Sequence, residues 1–314
     1  MNRGVIYAIL AYALWGLLPV YWKLLQAAPA LEILSHRVVW SLLFGLLVLA
    51  ARNRWQWLGA AVRSPRVLAA FIAAAALLSF NWYIYIWAVN SGNILDASLG
   101  YFINPLLTVA LGVFFMGERP RPWQWFSIAI ALVGVLYLTF RHGSFPWVAM
   151  GLALTFSLYG LIKKTATLDS LEGVSLESAI MFLPGLGYLL YLAQTGAGAF
   201  GAAGLGMTLL LASTGVITAI PLILFAGAAR RIPLTTLGLL QYIAPTLQFL
   251  MGALIYHEAV SAARLTGFGF IWLALVVFSA DSLMNARRSK RGRKPLGGGL
   301  VPSGGKRGWG CLGC

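Results

Sequence analysis

Charged residues are scarce in this chain, and their scarcity excludes a soluble globular fold. Of its 314 residues, 10% are charged and 60% are hydrophobic, whereas a soluble domain usually has about 25% charged residues. Acidic residues are the rarest, at 8 against 23 lysines and arginines. A soluble protein of this length needs a charged surface that the composition cannot supply, so the sequence indicates an integral membrane protein.

Cysteine and metal-binding patterns are almost absent. The two cysteines, Cys311 and Cys314, lie at the extreme C-terminal end, which excludes a disulfide framework in the core. Their C-x-x-C spacing could serve a metal or a redox site, but unpaired thiols on a tail are the simpler interpretation. His257-Glu258 lacks the second histidine of a zinc-binding H-E-x-x-H motif. The sequence therefore predicts no metal site, no cofactor and no catalytic residues.

The net charge of +15 raises the question of a nucleic-acid partner. The basic residues lie between apolar runs and in the C-terminal tail, which is the pattern set by membrane insertion. We therefore expect the lipid bilayer and a small-molecule substrate as partners and no nucleic acid, and the oligomeric state stays open.

Ten runs are apolar enough to be membrane spans, since a helix needs about 20 residues to cross ~30 Å of hydrocarbon. The runs cover residues 4–22, 38–51, 67–95, 97–117, 122–140, 142–162, two spans within 178–229 divided near 194–206, 232–257 and 265–280. The first run continues past Trp15 and Trp22 without a small-residue cleavage site, so we do not interpret it as a signal peptide.

Basic residues also predict the orientation of the spans. With the N-terminus in the cytoplasm, 19 lysines and arginines fall on the cytoplasmic side and 4 on the other side. This bias predicts that both termini are cytoplasmic.

An internal repeat relates the two halves of the chain. The sequence YFINP at 101–105 matches QYIAP at 241–245, and each is followed by a glycine (Gly112, Gly252) and a glutamate (Glu118, Glu258), all 140 residues apart. A weaker match at an offset of 144 joins LWGL at 14–17 to LYGL at 158–161. We expect two repeats, 4–140 and 145–285, followed by a basic, Gly-rich disordered tail at 286–314.

Five spans in each repeat is an odd number, so the second repeat must enter the membrane from the opposite side. Inverted repeats place a substrate site at their interface near the midplane and permit alternating access. Pro105 and Pro245 lie within equivalent spans, and each removes a backbone hydrogen bond. They predict helix kinks that either border the cavity or only shape the packing.

Several segments resemble the EamA group of the drug/metabolite transporter superfamily, and within it the RarD-type members. The segments are SHRVVWS at 35–41, NW at 81–82, IWAVN at 86–90, ASLGYFINP at 97–105, GER at 117–119 and QYIAPTL at 241–247. The resemblance covers about residues 4–285. It implies an all-helical basket of ten transmembrane helices around a central cavity, acting as a secondary transporter of small metabolites or drugs in the bacterial inner membrane, with export as the expected direction.

The second span is the most informative for a site. Residues 38–51 give only 14 residues, or about 21 Å of helix, so the helix must begin near Leu31 and draws His36 and Arg37 below the outer interface. Arg37 either extends outward to a partner such as Glu32 or attracts anions into a wet cavity. His36 is the best candidate for a proton-carrying group, because histidine titrates near neutral pH.

Asp96 opens the fourth span from the outer side. It either caps the helix, where the dipole favours a carboxylate, or forms a gate with Arg37 or His36 at the outer mouth. Glu118 and Glu258 are expected to form salt bridges at helix ends, and Lys163 and Lys164 to act as topology signals.

Polar and aromatic residues within the spans are candidates for the cavity lining, although amides and phenols can equally hold helices together. Besides His36 and Arg37, these candidates are Trp15, Asn81, Trp82, Trp87, Asn90, Tyr101, Asn104, Tyr159, Gln241, Tyr242 and Gln248. An intramembrane enzyme and a non-transporting membrane regulator are the alternative functions.

Overall fold

The computed structural model describes residues 2–90, 94–142, 145–255, 257 and 261–292, and these residues form helices and short connections without strands. Side chains are described for the same residues except 86, 89, 90, 94–98, 142 and 286–292. The helices are α1 (Arg3–Leu24), α2 (Ala30–Ala51), α3 (Gln56–Arg63), α4 (Pro65–Asn90), α5 (Ile94–Met116), α6 (Pro122–His142), α7 (Trp147–Thr165), α8 (Ser170–Thr195), α9 (Leu205–Ala229), α10 (Leu234–Gln241), α11 (Ile243–Leu254) and α12 (Ala262–Gly292).

Nine segments of the described chain are long and apolar enough to cross a membrane, with α10 and α11 counting as one segment, Leu234–Leu254. This finding agrees with the predicted all-helical membrane class. The remaining long helix, α7, has 19 residues and carries Lys163 and Lys164 in its last turn. It packs between α5 and α4 inside the bundle.

The helix boundaries follow most of the predicted runs. Helix α2 begins at Ala30, as its short apolar run requires, and α8 and α9 are separated at the predicted Gly- and Ala-rich break. Helix α8, however, begins at Ser170 rather than near residue 178, because Glu177 is buried inside the bundle instead of marking a loop. The short helix α3 was not predicted from the sequence.

The residues at which helices begin and the contacts between helices both follow a repeating pattern along the chain. Helices α2 and α8, α4 and α9, α5 and α10, and α6 and α12 begin 140 residues apart. Helix α7 packs against α5 and α4, while its counterpart α1 packs against α11 and α9. Helices α2 and α8, α5 and α10, and α6 and α12 also pack as pairs. Equivalent helices therefore make equivalent contacts.

The two prolines act differently on their helices. Helix α5 continues through Pro105, whereas the equivalent span divides at Tyr242, three residues before Pro245, into α10 and α11. A proline cannot donate to the carbonyl four residues earlier. The carbonyls of Tyr101 and Gln241 therefore lose their helical partners at equivalent places in the two halves.

Close helix packing depends on glycine at one crossing in particular. A Cβ atom on Gly215 of α9 would overlap the backbone of Trp40 and Ser41 on α2. The Ser41 hydroxyl donates to the Gly215 carbonyl over 3.0 Å at this crossing. Helix α9 thus packs closely against α2, while the equivalent helices α4 and α8 are in less extensive contact, and the two halves are not related by strict symmetry.

Candidate functional site

A cavity of about 220 Å³ lies among α1, α2, α4, α5, α7, α9, α10 and α11. Apart from Tyr12, its lining residues on α1 and α4 lie in the second halves of these helices, and those on α2 and α5 lie in the first halves. The cavity is therefore nearer the end of the bundle where α1 connects to α2. Tyr85 and Tyr101 line it and stay exposed, with their rings 6.5 Å apart. We define this pair as the mouth of the cavity.

Eight of the thirteen residues predicted to line a cavity are brought together here. They are Trp15, Arg37, Asn81, Trp82, Tyr101, Asn104, Gln241 and Gln248. Pro245 also lines the cavity. Sequence reasoning missed Tyr12, Trp22, Tyr85 and Phe156. Helical spacing could have found Tyr12 and Tyr85, since each lies three residues from a predicted lining tryptophan and such residues share a face.

Arg37 supplies the positive charge of the cavity wall. Its Nε donates to the Thr218 hydroxyl on α9 over 3.0 Å. Its guanidinium carbon lies 5.0 Å from the ring centre of Trp22 and 4.4 Å from that of Trp82. Glu32 was one predicted partner for Arg37. The structure does not support this pairing, because the carboxylate of Glu32 accepts hydrogen bonds from the backbone after α8.

The amides that line the cavity also form hydrogen bonds between helices. They therefore fit both roles considered from the sequence, lining the cavity and holding helices together. The Asn81 amide on α4 donates to the Leu152 carbonyl and the Thr155 hydroxyl on α7, each over 2.8 Å. The Oδ1 atom of Asn104 accepts from the Ser157 hydroxyl over 2.7 Å. These contacts fix the amides in position, and each amide has a second polar atom that these bonds do not use.

Five aromatic rings close the cavity on the side away from its mouth. Tyr12, Trp15 and Phe156 line the cavity, and Tyr159 and Phe225 lie behind them, with neighbouring ring centres 5.2 to 6.3 Å apart. We call these five residues the aromatic floor. Tyr159 was predicted to be a cavity wall, but it is fully buried one layer below.

His36 faces away from the cavity, because successive helical residues point about 100° apart. It is buried on α2, where its Nδ1 accepts a hydrogen bond from Trp40 over 3.0 Å and its ring packs 4.7 Å from that of Phe200. Its Nε2 lies 3.9 Å from Glu32. This position gives His36 a role in the packing of α2 against the α8–α9 connection.

Two more predicted residues lie outside the cavity for the same rotational reason. Tyr242 is buried, and its hydroxyl donates to the Phe102 carbonyl over 3.1 Å, three residues before Pro105. Trp87 lies five residues after Trp82, about 140° further around α4, and is 48% exposed on the outer face of the bundle.

The structure contains a buried charged cluster that was not predicted from the sequence. Nζ of Lys163 lies 2.8 Å from Oε1 of Glu177, and the Tyr159 hydroxyl donates to Oε2 over 3.1 Å. Lys163 was predicted as a topology signal, yet it is 2% exposed. Glu177 and Arg37 both line a narrow side cavity and are 140 residues apart, in the register of the helix starts. That register is the signal that could have identified Glu177.

Glu118 also differs from its prediction as a salt-bridge group. Its carboxylate accepts from the backbone N–H groups of Leu234 and Thr235 over 2.6 and 2.8 Å and from the Thr235 hydroxyl over 2.7 Å. The first N–H groups of a helix have no partner within it and attract negative charge. Glu118 therefore caps α10 and joins the end of α5 to the second half of the chain.

Some predictions fall outside the part of the chain that the structure describes. These concern the side chains of Asn90 and Asp96, the residue Glu258 and the part of the tail after Gly292, with Cys311 and Cys314. Residues 286–292, predicted as the start of the disordered tail, instead continue α12. The gate and cap alternatives for Asp96 therefore remain predictions.

Sequence comparisons with known proteins indicate a single family. The EamA-like transporter family matches residues 2–140. Protein RarD of Streptomyces exfoliatus is 48% identical over 289 residues, which cover 92% of each chain. An uncharacterized transporter of Vibrio cholerae is 44% identical over 93% of this chain and 97% of its own. A solved crystal structure, 20% identical, superposes with a TM-score of 0.68 over 88% of this chain and 97% of its own, and shows the same fold.

Proposed function

This chain belongs to the EamA-like transporter family and is a multi-pass membrane transporter, and on that premise we propose that it moves small metabolites or drugs across the bacterial inner membrane by alternating access. The direction we propose is export. The cavity is the substrate site, and Arg37, Asn81, Asn104, Gln241 and Gln248 are its polar groups.

We propose ten spans, with α7 as the tenth. Helix α7 has an equivalent in α1 and packs against the same kind of neighbours. Five spans then fall in each of the repeats 4–140 and 145–285, the repeats are inverted, and both termini are cytoplasmic, in keeping with the distribution of basic residues. In this orientation the mouth of the cavity opens to the outer side, and the aromatic floor closes the inner side.

The observation that carries the proposal is the position of the cavity between the two halves. Tyr101 and Gln241 are equivalent residues, both line the cavity, and each precedes a proline by four residues. Inverted-repeat transporters bind substrate at such an interface, next to interrupted helices. Rocking one half against the other would open the floor and close the mouth, and this motion would expose the same site to the cytoplasm.

Thiol labelling from each side of the membrane tests the mechanism. Ala244 lines the cavity, and Ala244→Cys is a small change, made in a background without Cys311 and Cys314. We expect an impermeant reagent to label this cysteine in both right-side-out and inverted vesicles. As a control, Ala274→Cys lies in a closed core and should react from neither side. Reaction of Ala244→Cys from one side alone would contradict alternating access.

Enzymatic turnover is the competing function. The relatives are named as a RarD protein and a transporter, which favours transport. Conversion of a supplied compound into a new product by the purified protein would support the enzyme instead.

A further inference from the structure

Arg37 presents most of its hydrogen-bonding capacity to the cavity. A guanidinium has five N–H donors in a planar fork, and Nε is occupied by the Thr218 hydroxyl. Among the described residues, the terminal guanidinium nitrogens have no hydrogen-bond acceptor within the protein. Trp22 and Trp82 pack against the guanidinium and limit its movement. The fork is therefore held in place with its terminal N–H groups available.

The charge of Arg37 is likewise not balanced by the described part of the chain. No described carboxylate lies within ion-pairing distance of its guanidinium. Glu32 is engaged with the backbone N–H groups of Ala199 and Phe200, and Glu177, across the side cavity, is paired with Lys163. An uncompensated cation at membrane depth costs about 2.5–3.5 kcal/mol at the centre of a helix. A bound anion would offset this cost.

The rest of the cavity lining narrows the chemistry of that anion. Apart from Arg37, the described polar lining consists of neutral amides, phenols and indole N–H groups, so among the described residues a second charge on the ligand finds no partner of opposite charge. Trp15, Trp82 and Phe156 supply flat apolar walls. The volume of about 220 Å³ is below the ~300–1,000 Å³ of sites for drug-sized ligands.

Resting on the proposed transport function, we propose that the substrate is a small monocarboxylate with a flat apolar body, whose carboxylate binds Arg37 through both terminal nitrogens. Guanidinium and carboxylate match in a two-point geometry that an ammonium group cannot reproduce. Zwitterions are disfavoured, because no described carboxylate lines the cavity to receive their ammonium group, which would be desolvated without a partner. The apolar body stacks on the aromatic walls.

Counterflow in liposomes containing the full-length protein tests this proposal, with labelled indole-3-acetate as the probe. We expect saturable exchange that unlabelled indole-3-acetate and benzoate inhibit, while indole, tryptophan and inorganic phosphate inhibit at least tenfold more weakly. Equal inhibition by tryptophan or indole would overturn the single-carboxylate assignment. Equal inhibition by phosphate would show that the site binds anions without regard to the carboxylate shape.

Variants of Arg37 separate charge from geometry. Arg37→Gln should weaken probe binding roughly 10- to 100-fold, the usual range for losing a hydrogen bond to a charged group, and Arg37→Lys should also weaken it because the planar fork is lost. Arg264→Gln removes an exposed positive charge that does not line the cavity and should bind as the parent does. Unchanged binding by Arg37→Gln would refute the proposal.

Labelling of Ala244→Cys distinguishes this proposal from the proposed function. Two-sided labelling without exchange of the probe would support the proposed alternating access and contradict the proposed monocarboxylate substrate. One-sided labelling would instead contradict alternating access itself. The same labelling pattern in the Arg37 variants as in their parent would show that those variants are folded.

Discussion

The buried ion pair between Lys163 and Glu177 predicts a specific pattern of stability loss. The paired atoms are 2.8 Å apart, and the two side chains are 2% and 1% exposed. Removing one partner leaves an unbalanced buried charge, which typically costs about 3–5 kcal/mol. Since about 1.4 kcal/mol changes an equilibrium constant tenfold, Lys163→Met or Glu177→Gln should reduce the ratio of folded to unfolded protein by more than about 100-fold.

The double variant should recover most of that loss. Methionine retains the apolar stem of Lys163 and loses only the ammonium group, whose Nζ lies 5.1 Å from the Phe71 ring centre. Glutamine retains the shape of Glu177 and an oxygen that can accept from Tyr159. Replacing both members of a buried pair removes the unbalanced charge, and well-packed hydrophobic replacements of similar volume are often close to neutral in stability. We therefore expect a coupling energy of at least about 2 kcal/mol between the two substitutions.

Reversible unfolding in detergent, followed by circular dichroism, measures these changes in the free energy of unfolding. Arg54→Met is the control, because Arg54 pairs with Asp169 in a contact where both side chains are more than half exposed, and such pairs contribute about 0–1 kcal/mol. The reasoning fails if Lys163→Met costs no more than Arg54→Met. It also fails if the double variant loses the sum of the two single losses.

Two further predictions concern the contacts between the halves. Glu118→Gln should cost about 0.5–2 kcal/mol, the usual value of a helix cap, and hydrogen exchange at the first amides of α10 should accelerate; unchanged exchange would contradict the capping role. Gly215→Ala should cost about 1–3 kcal/mol through overlap with the backbone of Trp40, whereas Gly187→Ala on open α8 surface should be neutral or stabilising. Equal unfolding energies for the two glycine variants would refute close packing of α9 on α2.

The membrane fold and much of the cavity could be predicted because they depend on local patterns. Long apolar runs identify spans whatever surrounds them. The shortness of the second apolar run placed Arg37 inside the membrane, and the repeat brought Tyr101 and Gln241 to equivalent positions. Each of these inferences uses spacing along the chain, which a single sequence contains.

Which side chains reach the cavity and which charges are buried could not be predicted, because these features depend on helix rotation and on partners from distant segments. His36 and Arg37 are neighbours in the sequence, yet only Arg37 reaches the cavity, because the apolar second span has no polar stripe that fixes its rotation. The sequence does not reveal that Lys163 is buried, since its partner Glu177 lies on another helix across a loop. From the sequence alone, both residues are expected to face solvent, where charged side chains are normally found.

The register of Arg37 and Glu177 has a consequence for the history of the molecule. In the proposed repeats, the same position carries a cation in one half and an anion in the other, and only the anion has a dedicated partner, Lys163. A protein assembled from two copies of the first half would carry arginine at the position of Glu177 and, in the register that joins 14–17 to 158–161, Pro19 at the position of Lys163, so this buried ion pair could not form. In the proposed repeats the ion pair is thus specific to the second half, and the two halves balance their buried charge in different ways.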